Sequence, residues 1–134
     1  MNHTVEVNWL DNLAFEANVD NHKIILDTAE SDRGPRPKAL TLAAVAGCSG
    51  MDVVSILAKM RIVPDVFGMT VTGELTEEHP KIYHTITIVY RFKGKDLPMD
   101  KLEKAVNLSQ ERYCGVSAML GKAAKIVTKI VVEE

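Results

Sequence analysis

Two cysteines are the residues of this chain most able to do chemistry: Cys48, in AAVAGCSGMDVV (residues 43–54), and Cys114, in ERYCGVSAML. A thiol can be inert packing, a nucleophile or one half of a disulfide. Cys48 stands among alanines with Gly47 before it and Gly50 just after. Each glycine costs about 1 kcal/mol relative to alanine inside a helix. The pair therefore implies a close approach, by another helix or by a small substrate reaching the sulfur. Cys114 falls where a helix should end, before Gly115, and a chain can flex there as a resolving cysteine must. Spacing alone leaves packing and chemistry open at both positions. The cysteines have neither CxxC nor zinc spacing and build no disulfide framework. In a reducing compartment a standing disulfide between them is not expected, which leaves two inert thiols or a transient, catalytic pair.

The other polar residues add less. Asp52 lies one turn beyond Cys48 on the same helical face. A carboxylate there would raise a thiol pKa, so it reads as a capping or hydrogen-bonding group. Arg33, Arg36 and Lys38 belong to SDRGPRPK (31–38), just before the helix. A guanidinium folded over the helix start would lower a thiol pKa and offer donors to a peroxide oxygen; the bland reading is a solvated, charged loop. His3, His22, His79 and His84 have no cysteine or carboxylate at ligand spacing, so no metal site is expected. A Cys–His pair for acyl transfer has no positive support in the sequence.

These side chains need elements to hold them. Val5, Val7 and Trp9 alternate with polar residues, and Leu13, Phe15, Ala17 and Val19 repeat the two-residue period. With turn pairs at Asp11-Asn12 and Asp20-Asn21, this predicts a hairpin or three-stranded meander ending at Ile24-Ile25-Leu26. From Ala39 to about Arg61 the period becomes helical and the helix is apolar nearly all round, so it must be covered on most sides. Thr41, Ser49, Gly50, Asp52 and Ser55 interrupt the run, which argues against a membrane span. One sheet from so short a chain covers one side of this helix, and the other side suits a homodimer interface. Strands follow around 69–75 and 82–92. A second helix is predicted from an Asp100 N-cap, with Glu103 three residues on, to about Cys114. A short helical stretch at 117–122 and a strand at 126–132 complete an order βββ-α-ββ-α-β, which is α+β.

At 134 residues the chain has the length of one domain, 1–134. A net charge of −2 argues against nucleic acid or an anionic membrane as partner, since both need a basic surface. The N-terminal MNHTVEVNWLDN has no signal-peptide layout, and a cytoplasmic protein is expected.

GPRPKALTLAAVAGCSGMDVVSILAKMR (34–61), HPKIYHTITIVYRFKGKDL (79–97) and LSQERYCGVSAMLGKAA (108–124) resemble the OsmC/Ohr family of organic hydroperoxide reductases, in particular its smaller OsmC-like branch. The resemblance implies an intertwined homodimer of two sheets around long central helices. It implies a cysteine-based peroxidase: Cys48 attacks an organic hydroperoxide, Cys114 resolves the sulfenic acid to a disulfide, and an external dithiol reduces it. No metal or organic cofactor is implied. In characterised members an arginine from the N-terminal strands and a glutamate before the central helix activate the thiolate. Here residues 1–30 hold no arginine, Lys38-Ala39 stand where the glutamate is expected, and Gly115 replaces a proline common after the late cysteine. Arg33 or Arg36 would then have to supply the guanidinium. These departures motivate a second expectation, a small-molecule-binding or redox-sensing protein with little turnover, and a third, a structural protein with two buried thiols.

Overall fold

Turn residues divide the N-terminal segment as the alternation predicts. In a computed structural model describing residues 1–134, strands β1 (Glu6–Asp11), β2 (Ala14–Val19) and β3 (His22–Leu26) form an antiparallel meander in that order. Asn12, Asp20 and Asn21 take positive φ at the two turns, a conformation asparagine and aspartate tolerate better than most residues. Trp9 Nε1 donates to the Asn12 carbonyl at 2.9 Å and ties the first turn down. Burial does not follow the expected period. Ala14 and Ala17 are buried, while Leu13, Phe15 and every residue of β1 are exposed. A bulge between Trp9 and Asp11 breaks the register beside Ala14, which re-aims neighbouring side chains.

The chain divides into two units, Met1–Thr41 and Leu42–Glu134. Helix α1 (Pro37–Lys59) begins in the first and runs on into the second. Proline suits its first position, where the missing N–H would have no helical partner. In the second unit, β4 (Val66–Leu75) pairs antiparallel with β5 (Tyr83–Lys93), and β5 pairs parallel with β6 (Lys125–Glu133). The crossover from β5 to β6 carries α2 (Met99–Leu108), a π-helical turn (Ser109–Tyr113) and α3 (Gly115–Leu120). The α+β order read from the sequence is thus the observed one.

Asp100 is not the cap of α2. Pro98 occupies that position, without any side-chain cap, and Asp100 sits within the first turn, where the helix dipole favours an acid. The helical path does end at Cys114, after passing through the π-turn.

Val45, Ser49, Val53 and Leu57 recur every four residues as the buried stripe of α1. They meet Ile86, Ile88, Tyr90 and Phe92, alternate residues of the central strand β5, and Leu102, Ala105 and Val106 of α2. Burying each large aliphatic side chain contributes about 1.5–3 kcal/mol. By length and composition α1 could cross a membrane; its buried stripe lies in this core. The opposite face is uncovered in the single chain, with Met51 77% and Val54 51% exposed.

Candidate active site

Cys48 and Cys114 come to one place in the second unit, carried by different elements. Cys48 is half-buried on α1 and Cys114 is buried at the break between the π-turn and α3; both are free thiols. At Cys114 the backbone is extended (φ −79°, ψ 99°), which stops the helical path and lets α3 restart from it. Its amide donates to the Ser109 carbonyl at 2.7 Å, the bond that closes the π-turn. Its sulfur accepts the Ser117 amide at 3.3 Å. Burial pushes the Cys114 thiol above its ordinary pKa. The Ser117 side chain and amide pull it back, and hydrogen bonding and charge from Cys48 push it up again. Cys48 is therefore close enough to act on the Cys114 thiol. The Ser117 hydroxyl is buried and has no hydrogen-bond partner, and the Ser117 side chain favours the Cys114 thiolate.

The two glycines serve different purposes. A Cβ at Gly50 would lie 2.6 Å from Met69 Cε, so this glycine admits a side chain of β4 against the helix. The close approach is made by a strand, not by the second helix or the substrate expected. A Cβ at Gly47 would meet nothing within 4 Å. Gly47 instead opens onto an apolar groove of about 500 Å³, lined also by Gly50, Met51, Val54, Phe67 and Met69. That groove passes the residue directly before Cys48.

Beneath the cysteines lies a polar network that sequence reasoning missed. Ser49 Oγ is 2.6 Å from the Tyr90 hydroxyl and 2.8 Å from Ser109 Oγ. Ser109 Oγ donates to Asp52 Oδ2 at 3.0 Å, and Gln110 Nε2 donates to the Tyr90 hydroxyl at 2.9 Å. Ser49, Tyr90 and Ser109 have no exposed surface. Burial raises the Tyr90 pKa, and its hydrogen bonds with Ser49 and Gln110 oppose that rise. Asp52, read from the sequence as a hydrogen-bonding group, is the terminal acceptor. Two signals for this network were available. A tyrosine among isoleucines and a phenylalanine on the buried face of β5 needs a partner for its hydroxyl. Ser49 and Ser109 also both fall on apolar helix faces.

The loop arginines are engaged within the first unit. Arg33 forks onto Asp11, with bonds of 2.6 and 3.1 Å, and its Nε reaches Asp27 at 3.2 Å. Arg36 donates to the Thr28 carbonyl and to Asp32, both at 2.7 Å. His84 Nδ1 is 2.8 Å from the Thr85 hydroxyl, and no three His, Cys, Asp or Glu side chains cluster as a metal site would need.

Residues 29–129 match the family described as OsmC-like protein. The chain belongs to that family. Protein YhfA of Escherichia coli K12 is 39% identical over 123 residues, 90% of each chain. A hypothetical protein from Aquifex aeolicus VF5 has a solved structure with a TM-score of 0.87 and 33% identity, covering 100% of this chain and 99% of that one. The organic hydroperoxide resistance protein OhrB of Bacillus subtilis has the same fold at 17% identity, with a TM-score of 0.71 over 97% of this chain and 98% of its own. In this OsmC-like chain the two cysteine motifs read from the sequence both lie inside the matched span.

Proposed function

We propose that this OsmC-like chain is a two-cysteine peroxide reductase acting on organic hydroperoxides. The observation that supports the reading is that Cys48, on α1, acts on the thiol of Cys114, at the end of the π-turn. The apolar groove beside Gly47 supports an organic substrate over hydrogen peroxide, because it offers carbon surface to an alkyl group. The fold shared with a hydroperoxide resistance protein agrees with this reading.

The Cys48 thiolate attacks one peroxide oxygen. An S–O bond forms, the O–O bond breaks, and the alkoxide takes a proton and leaves as an alcohol. Cys114 then attacks the sulfenic sulfur, the S–S bond forms, and the hydroxyl departs with the Cys114 proton as water. An external dithiol returns two electrons and two protons. Cys48 serves as the first nucleophile in this reading because it is the more accessible sulfur, whereas burial disfavours the Cys114 thiolate. No step calls for a metal or organic cofactor. Arg33 and Arg36 already bind Asp11 of β1, Asp27, Asp32 and the Thr28 carbonyl, so the proposed mechanism rests on the cysteines.

The assembly proposed is a homodimer of one domain, 1–134, in the cytoplasm. The bare face of α1 and the exposed apolar residues of β1 and β2, including Trp9 and Leu13, are the surfaces a second copy would cover.

Single-turnover titration tests the reaction. Reduced protein is mixed with one equivalent of cumene hydroperoxide, or of hydrogen peroxide in parallel, and free thiols and intact mass are followed. The expected result is loss of both thiols, faster with the organic peroxide and abolished in Cys48→Ser. Thiols that persist for many minutes would replace this reading by the second one, a ligand-binding or redox-sensing protein, which the engaged arginines favour.

A further inference from the structure

The peroxide chemistry uses Cys48 and Cys114, yet it leaves unexplained the buried hydroxyl network between the elements that carry them. A hydrogen-bonded path joins the two cysteines. Cys48 is followed in the chain by Ser49, whose Oγ lies 2.8 Å from Ser109 Oγ; the Ser109 carbonyl accepts the Cys114 amide at 2.7 Å. We propose that Ser49 and Ser109 form a strap that holds Cys114 against Cys48 for disulfide closure, with Ser109 as the positioning residue of the pair. The proposal rests on the reading of these cysteines as a disulfide-forming couple.

The directions of the hydrogen bonds fix the strap. Asp52 can only accept as a carboxylate, and it takes the Ser109 proton. Ser109 must then accept from Ser49, and Ser49 from Tyr90, while Gln110 donates to Tyr90. Each hydroxyl proton is used once, so one arrangement satisfies the whole chain from Gln110 to Asp52. Gln110 Nε2 also reaches Ser49 Oγ at 3.4 Å, and the Ser49 carbonyl lies 3.5 Å from Ser109 Oγ. A fully satisfied buried network of this kind rigidifies the elements it connects.

The π-turn explains why the clamp matters at this residue. A π-turn carries one residue more than an α-turn, and one residue is about 100° of rotation around a helix axis. Ser109 supplies the carbonyl that closes this turn onto Cys114. Its side chain is anchored to α1 at the residue after Cys48 and at Asp52. The extra residue thus sets the direction in which Cys114 leaves the helix, and the strap ties that direction to the helix bearing the other thiol.

The test is the equilibrium of reduced protein with glutathione disulfide, which oxidises the Cys48–Cys114 pair to a disulfide while two glutathione thiols are released. It needs no peroxidase activity. Wild type, Ser109→Ala, Ser49→Ala and Tyr90→Phe are compared over a range of glutathione ratios. The two serine variants are expected to lower the constant for disulfide formation about two- to tenfold, the effect of one ordinary hydrogen bond. Tyr90→Phe removes a hydroxyl of the same network from a strand that bears neither cysteine. It should lower the melting temperature and leave the constant within about twofold, a change below that of one ordinary hydrogen bond. If Ser109→Ala does not fold, Ser49→Ala cuts the strap at its other end and decides alone. Unchanged constants in the serine variants, an equal change in Tyr90→Phe, or a wild type that closes no disulfide would each overturn the strap. A wild type that closes the disulfide but consumes no hydroperoxide would sink the peroxidase reading and leave the strap standing.

Discussion

The loop after β3 and the interior of the second unit are both held by polar side chains, but by opposite physics. In the loop, Arg33 and Arg36 grip Asp11, Asp27 and Asp32 through charged pairs, most of them in contact with solvent. In the interior, Ser49, Tyr90 and Ser109 are neutral hydroxyls shut away from water. Exposed ion pairs are screened by water and salt and add little to stability. A buried hydroxyl that loses its partner leaves another group unsatisfied at a desolvation cost of about 1–3 kcal/mol. The comparison teaches that exposed charge contributes little to holding the loop, while the neutral network fixes geometry.

The loop owes its shape to backbone fit more than to charge, and the largest expected effect follows from that. A Cβ at Gly34 would stand 1.9 Å from the Ile25 carbonyl oxygen, a backbone atom that cannot swing aside. Gly34→Ala should destabilise the chain by about 3 kcal/mol, read by chemical denaturation; a change near zero would mean that the loop does not lie against β3. Next comes the interior. Tyr90→Phe should lower stability by about 1–2 kcal/mol through the stranded Ser49 and Gln110 groups, with no dependence on salt. A loss that shrinks as salt is added would put the network in the same class as the loop and erase the contrast.

The smallest effect is the acid response of the loop. Asp27 accepts the Thr28 amide at 2.7 Å and the Arg33 amide at 3.2 Å. The Thr28 bond, aided by the Arg33 amide and guanidinium and opposed by burial, holds its pKa below the ordinary 3.8. A carboxylate with a depressed folded pKa stabilises the fold above the unfolded value, and that contribution is lost as pH falls through the folded one. Loosening should therefore begin below 3.8 and complete at still lower pH. The amide chemical shifts of Thr28 and Arg33, followed by acid titration, should move together with a midpoint under 3.8. A midpoint at or above it would mean that the carboxylate gains nothing from its donors.

Much of the fold was legible in the sequence because periodicity and turn chemistry are local. Asn12, Asp20 and Asn21 mark the turns they occupy, and Val45, Val53 and Leu57 mark the inner stripe of α1. The reading failed where the cause was not local. Leu13 and Phe15 alternate correctly yet stay exposed, because no other part of the chain covers them. Asp100 has the chemistry of a cap, but the helix begins at Met99 with Pro98 in the cap position, two residues too early for it.

The sequence by itself determined the elements and the candidate thiols: a cysteine between glycines on an apolar helix, and another at a helix end before Gly115. Only the tertiary structure decided what those thiols are near. Hydrogen bonds between residues as distant in sequence as Ser49, Tyr90 and Ser109 leave no spacing to read, because chain folding, not chain order, makes them neighbours. For the same reason Gly47 and Gly50, alike in the sequence, part company in space: one opens a groove, and the other admits Met69.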